Sequence, residues 1–348
     1  ILMKKPLSTF YFLLISFLFL LSSCTPQPTT LTVMTHDSFA ISEDVISQFE
    51  TENNIDVVFL QSGDAGSMLN KAILAKDAPL ADILFGVDNT FLSRALEADI
   101  FESYQSPVLS EVSPEFILDE SYRALPVDYG DVCINYDKKY FAENNLALPE
   151  SFEDLTKPEY KHLLVVQSPA TSSTGLAFML ATRAYFGDDF LDYWQRLKEN
   201  EVVVVDGWET AYYTNFSASS GQGPQPMVVS YASSPPVEVL YASEPITESP
   251  TAALVADGMC FRQIEFVGIL KNGNNRNIAE TFVDFMLSKT FQEDMPLNMF
   301  VYPVNQTAQL PELFIQHAQV VGDPSTLPYD EIATNRDAWI ESWIEVMK

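Results

Sequence analysis

The chain has 348 residues, 47% of them hydrophobic, and its formal charge is 19 minus 48, or −29. An acidic surface of this size repels nucleic acid and so argues against DNA or RNA partners, while the apolar content is enough to fill real cores. The length gives a soft expectation of two lobes, at about 150 residues per domain.

Lys4 and Lys5 precede an apolar run from Phe10 to Leu21 broken by Ser16, and Leu21-Ser22-Ser23-Cys24 follows. A positive start, a short apolar core and small residues before a cut are the pattern of a secretory signal peptide over 1–23. The run is short for a membrane span, which needs about 20 residues, although an uncleaved anchor helix is the alternative. Leu-Ser-Ser-Cys resembles a bacterial lipobox, which implies that Cys24 is lipidated and that 24–30 is an extended linker. Met3 reads as the natural start, and loss of Lys4 and Lys5 with the leader takes the charge from −29 to −31. Cys133 and Cys260 then remain. In an exported protein they are expected to pair, with two buried thiols as the alternative.

Strand and helix patterns alternate from Leu31 onward. Leu31 and Val33 form a strand that runs into the polar turn Thr35–Phe39, and Ser42 caps a helix with Val45, Ile46 and Phe49 on its apolar face. Strand Ile55–Leu60, the turn Gln61–Ser67, a helix bearing Met68, Leu69, Ala72 and Ile73, strand Asp82–Phe85 and a helix from Phe91 follow. Repeated β-α-β units predict a parallel sheet with helices on both faces, and ligands at the carboxyl ends of its strands. The turns expected at that edge are Thr35–Phe39, Gln61–Ser67 and Gly86–Thr90.

Residues Ala124–Asp131 read as a crossing into a second lobe. That lobe has strands Val132–Tyr136, Leu163–Val166, Val202–Val205 and Met227–Ser230, and helices Leu176–Phe186 and Phe190–Leu197. Ser217–Pro226 is a Ser, Gly and Pro loop. Phe261–Leu270 is a return strand, Ile278–Leu287 a helix, and Asp337–Met347 a helix whose Trp339 and Trp343 form a packing stripe. The predicted class is α/β, with lobe 1 over 31–126 and 267–316, lobe 2 over 127–266, and a C-terminal helical segment over 317–348.

The candidate cleft residues are aromatic (Trp208, Tyr231, Phe300, with His36), acidic (Asp64) and hydroxylic (Ser38, Ser67, Ser172, Ser173, Ser234). Each follows a predicted strand at the expected edge. The chain resembles the thiamine-binding solute receptors of bacterial ABC importers, within the iron- and polyamine-binding branch of two-lobed periplasmic binding proteins. The residues carrying the likeness are Thr35–Ala40, Ala81–Asn89, Asp128–Gly130, Thr171–Leu176, Gly207–Tyr212, Ser230–Pro235, Tyr302–Val304 and Ala338–Trp343.

That resemblance implies a type II periplasmic binding fold, two doubly wound sheets joined by two hinge strands near Asp128 and Phe266. It also implies a ligand held between the lobes. Asp64 would face a cationic amine-bearing ligand, and Ser172 would bind its hydroxyethyl or phosphate end. Trp208 and Tyr231 would shape the pocket, and Phe300 would be a stacking wall. His36 stands where the family has tyrosine, Phe300 where it has tryptophan, and Val237 where it has the tyrosine of the opposite wall. Tyr212 or Tyr213 is the candidate replacement. The loop near Gly221 is longer than the family pattern.

The implied partners are a small solute, thiamine or a thiamine phosphate, an ABC permease, and the membrane through the lipid. The protein would be an exported, lipid-anchored monomer that needs no cofactor or metal. Polyamine, ferric ion and phosphonate are alternative ligands. A secreted hydrolase is a more distant reading, because no Gly-x-Ser-x-Gly elbow, His-Glu-x-x-His or paired-cysteine spacing occurs.

Overall fold

A computed structural model of the chain describes residues 29–218 and 223–348. Cys24, the leader expected over 1–23, most of the linker expected over 24–30 and the loop tip near Gly221 lie outside the described residues.

The chain opens with β1 (Thr29–Thr35), α1 (Glu43–Asn53), β2 (Ile55–Gln61), α2 (Ala65–Leu74), β3 (Ile83–Asp88), α3 (Leu92–Glu97) and β4 (Phe101–Glu102). β1 pairs in parallel with both β2 and β3, which builds the first lobe from the predicted β-α-β units. Two long strands then cross the molecule: β5 (Leu125–Asp137) and β10 (Phe261–Leu270). β10 runs antiparallel to β5 and continues along β3. The far half of β5 pairs with β8 (Met227–Tyr231) and with β9 (Thr251–Leu254). β8 lies beside β6 (Leu164–Gln167), which pairs with β7 (Val203–Val205). β11 (Tyr302–Pro303) completes the sheet on β5.

The order β2-β1-β3-β10-β5-β8-β6-β7 is therefore one continuous mixed sheet, curled into two lobes, rather than two parallel sheets. The crossing strands hydrogen-bond to both halves, so the sheets join where the hinge was expected. β10 also holds β3 extended through Gly86, Val87 and Asp88. The residues expected to form a cleft-edge turn are thus largely strand.

The second lobe adds α4 (Lys138–Glu143), α5 (Ser173–Phe186), α6 (Phe190–Glu199) and α7 (Pro235–Leu240), with a π-helix at Thr210–Asn215. The chain closes with α8 (Arg276–Leu287), α9 (Lys289–Asn298), α10 (Glu312–His317) and α11 (Tyr329–Met347). One apolar core, containing Leu31, Phe85, Phe266 and Phe282, fills the first lobe. A larger one runs from Met68 and Phe91 to Phe178, Trp194 and Trp343. α11 bridges the two lobes. Its Trp343 meets Trp194 edge to face at 5.3 Å, and its buried Arg336 donates to Ser93 Oγ at 2.9 Å.

Cys133 on β5 and Cys260, just before β10, are joined by a disulfide with Cα atoms 4.4 Å apart. It ties the crossing strands together at the second-lobe end, beside the registered pair Val132 and Phe261.

Candidate functional site

Between the lobes lies a cavity of about 370 Å³, within the range of small-molecule sites. The first lobe supplies the turn after β1 (His36–Ala40), Gln61, Asp64, and the end of α9 with the segment beyond it (Asn298–Val301). The second supplies Ser173, Thr174, Trp208, Glu209, Tyr213, Tyr231, Ser234, Val237 and Tyr241, and Glu265 on β10 forms part of the floor.

Six of the eight expected ligand residues line this space: His36, Asp64, Trp208, Tyr231, Ser234 and Phe300. Ser67 and Ser172 do not. Ser67 sits in the first turn of α2, where its N–H donates to Thr171 O at 3.3 Å. Ser172 is buried at the start of α5, where its hydroxyl bonds Thr174 Oγ1 at 3.0 Å and also reaches the Asp64 carboxyl.

Asp64 caps α2, and its carboxylate reaches across the cleft. Oδ2 accepts from Trp208 N at 2.9 Å and Oδ1 from Ser173 N at 3.3 Å, both in the second lobe. Thr171 O receives Gly66 N at 3.1 Å beside them. A Cβ at Gly66 would stand 2.9 Å from that carbonyl oxygen, so the close approach of the lobes requires glycine. Burial raises the Asp64 carboxyl to about 6 against the pull of these donors. Asp64 is thus a latch between the lobes as well as a wall of the cavity.

The aromatic walls differ from the expected set. Trp208 donates its indole N–H to Ser230 Oγ at 2.9 Å and stacks on Tyr212 at 4.9 Å. Tyr212 is wholly buried behind it and donates to Glu238, whereas Tyr213 is 40% exposed and lines the cavity. Val237 faces the cavity without a ring, and Tyr241, one helical turn on, brings one to 6.3 Å from Phe300. Phe300 holds a left-handed backbone at φ 56°, an uncommon conformation for a bulky residue and one that tends to cluster at ligand sites. The Ser234 hydroxyl bonds Ser230 Oγ and Tyr231 N, which fixes the wall carrying Tyr231.

Four carboxyls line the cavity, Asp37, Asp64, Glu209 and Glu265, and none of the lining residues is Lys or Arg. Burial, with Asp37 and Asp64 nearby, pushes Glu209 upward. Behind the floor, Asp88 is buried and raised to about 7 by loss of water.

His36 has Ser38 Oγ at 2.9 Å from Nδ1 and Glu265 Oε1 at 3.6 Å from Nε2, an order that superficially copies a hydrolytic relay. Burial lowers the imidazole to about 4, which makes it a weak base, and 3.6 Å is too long for an orienting hydrogen bond. Among the described residues no group of three or more His, Cys, Asp or Glu is arranged to hold a metal ion.

Glu209, Tyr241 and Glu265 were not singled out from sequence. The available signal was an acid inside the otherwise buried strand Phe261–Leu270, a placement that costs free energy unless it is used or compensated.

A family model for bacterial extracellular solute-binding proteins matches residues 78–323. The chain is 30% identical over 319 residues to the thiamine-binding periplasmic protein of Salmonella typhimurium, covering 90% of this chain and 92% of that one. Identity to the Escherichia coli thiamine-binding periplasmic protein is 28%, also over 90% and 92% of the two chains. A solved periplasmic thiamin binding protein is similar with a TM-score of 0.78 at 26% identity, covering 92% of this chain and 96% of that one. The ferric binding protein of Campylobacter jejuni has a TM-score of 0.72 at 18% identity over 91% and 99% of the chains, a likeness of fold alone. With more than half of its length inside the family model, the chain belongs to the bacterial extracellular solute-binding proteins, two-lobed receptors and not enzymes.

Proposed function

We propose that this chain captures thiamine between its lobes outside the cytoplasm and delivers it to an ABC permease. The observation that carries the reading is the cavity lining: four carboxyls, no Lys or Arg, and the rings of Trp208, Tyr213, Tyr231, Tyr241 and Phe300. A flat heteroaromatic cation gains about 0.5–2 kcal/mol from each well-placed ring face, and the carboxyls supply its counter-charge. A phosphate would meet only acids and neutral donors. The reading is therefore free thiamine ahead of its phosphates, with Tyr213 and Tyr241 in place of the ring missing at Val237. The relatives' names support the same ligand.

The lobes are proposed as 31–126 with 267–316 and as 127–266, with 317–348 a strap across both. They open and close about β5 and β10, and the ligand favours the closed arrangement that the permease recognises. Residues 1–23 act as an export leader, and a lipid on Cys24 holds the protein, as a monomer, at the membrane.

Calorimetric titration with thiamine, its phosphates and spermidine tests the ligand. One-to-one binding strongest for thiamine is expected. Binding of spermidine alone would replace thiamine by a polyamine, and no heat from a folded sample with any of them would remove the reading.

A further inference from the structure

Three carboxyls stand side by side on the three central strands. Glu265 of β10 is in register with Asp128 of β5 on one side and with Asp88 of β3 on the other. Directly registered residues on neighbouring strands project to the same face, so the three acids form a ladder across the hinge. Asp88 and Asp128 are wholly buried, Glu265 is 5% exposed, and its side chain opens onto the cavity.

Among the described residues no cation answers this charge. Arg262, three residues before Glu265, is held by Asp131. The remaining titratable groups facing Glu265 are His36 from the turn after β1, Asp64 from the start of α2 and Tyr231 of β8. Burial keeps His36 neutral near pH 7, and its Nε2, in a residue only 6% exposed, has no hydrogen-bond partner among the described residues. Neither Asp128 oxygen has a hydrogen-bond partner among the described residues, and its registered neighbour on β10 is Glu265. Adjacent buried carboxyls with no cation beside them cannot all ionise, so the ladder keeps a proton near neutrality. Burial and the two flanking acids push Glu265 upward accordingly.

We propose that Glu265 is the charge partner of the cationic ligand, and that ligand entry expels to solvent the proton that the Asp88–Glu265–Asp128 ladder holds. This rests on the thiamine reading above. A fixed positive charge beside Glu265 favours the ionised ladder, so the bound ligand replaces the proton as the ladder's counter-charge. Asp64 titrates near 6, so its own effect falls off above that value.

The test is calorimetry of the purified protein with thiamine, whose thiazolium charge does not depend on pH, in phosphate and in Tris at the same pH. The dependence of the observed heat on buffer ionisation enthalpy counts protons. Release of about one proton per thiamine is expected near neutrality, with affinity rising by up to about tenfold per unit between about pH 6.5 and about pH 8.5. Glu265→Gln should bind about tenfold or more weakly at the upper end, release no proton and show a flat profile. Asp128→Asn should bind thiamine while releasing a smaller fraction of a proton, because Glu265 has lost one like-charged neighbour. Thiamine binding to the unaltered protein with no proton release overturns the inference and leaves the thiamine reading standing. Absence of thiamine binding removes both. A Glu265→Gln protein with an unchanged profile assigns the counter-charge to Asp37 or Glu209 instead.

Discussion

Asp64 has a second role in the structure beside the one its resemblance implies. That likeness sets it against the ligand's positive charge, and both of its oxygens are also engaged by backbone N–H groups of the opposite lobe. Hydrogen bonds to a charged acceptor are worth about 1.5–3 kcal/mol each, and these two exist only when the lobes are together. Asp64→Asn keeps one acceptor and turns an amide N–H₂ toward a donor. Its thiamine affinity should fall by about 10–100-fold with little change in melting temperature, since the latch contributes to closure and not to either core. Unchanged affinity in a titration would show that closure does not depend on it. The other site residues divide by what local pattern can carry. His36, Trp208, Tyr231 and Ser234 stand in short motifs that follow strands, and the cavity includes all four. Glu265 and Tyr241 come from a return strand and a helix end with no motif of their own. Their position depends on β10 lying between β3 and β5, a pairing between residues far apart in sequence.

Among the elements, long periodic segments were legible and locally ambiguous ones were not. The helix predicted from Val45, Ile46 and Phe49 is α1, and the apolar run Phe261–Leu270 is β10. Ser42 does precede α1, yet its hydroxyl bonds Asp294 at 2.6 Å and makes no cap, because a tertiary partner on α9 outcompetes the helix end. α9 carries Pro296 in its interior, and a proline there reads in sequence as a break. β9 is four residues of Thr, Ala and Leu with little strand propensity, held by pairing to β5. The crossing strands also carry the Cys133–Cys260 bond, which closes a sequence separation of 127 residues with both cysteines buried. Replacing both by Ala should lower the unfolding free energy by about 2–5 kcal/mol, read as a shift of the urea midpoint, chiefly through the freer unfolded chain. The bond lies outside the cavity, so thiamine affinity should stay within about threefold. A midpoint that moves neither with the substitutions nor with reductant would mean that the bond does not contribute.

At the scale of the whole molecule, the floor carboxyls set how stability depends on pH. Asp64 is raised to about 6, Asp88 and Glu238 to about 7, and Asp128 and Glu265 are also raised, chiefly by burial. The folded state therefore holds protons that the unfolded chain has already lost. The stability these groups contribute is complete below the usual carboxylate range of about 4, and it is lost as pH climbs through about 6–7. His36, lowered to about 4, acts in the opposite sense: its contribution is present above its ordinary value and is lost only as pH falls toward 4. From neutral upward the acids act alone, so melting should occur at least about 4 °C higher at about pH 6 than at about pH 8. The acidic surface adds repulsion of the same sign, and the two sources separate with salt. About 0.5 M NaCl screens exposed charges but reaches buried ones much less, so most of the pH dependence should survive it. Glu265→Gln removes one buried acid and should raise the melting temperature at the alkaline end while weakening ligand capture there, the usual opposition between stability and a charged site. Thiamine should give its largest stabilising shift at the same end, where the ladder most lacks a counter-charge. A melting temperature that is flat from pH 6 to 8 without ligand would place the floor acids in water and not in the interior.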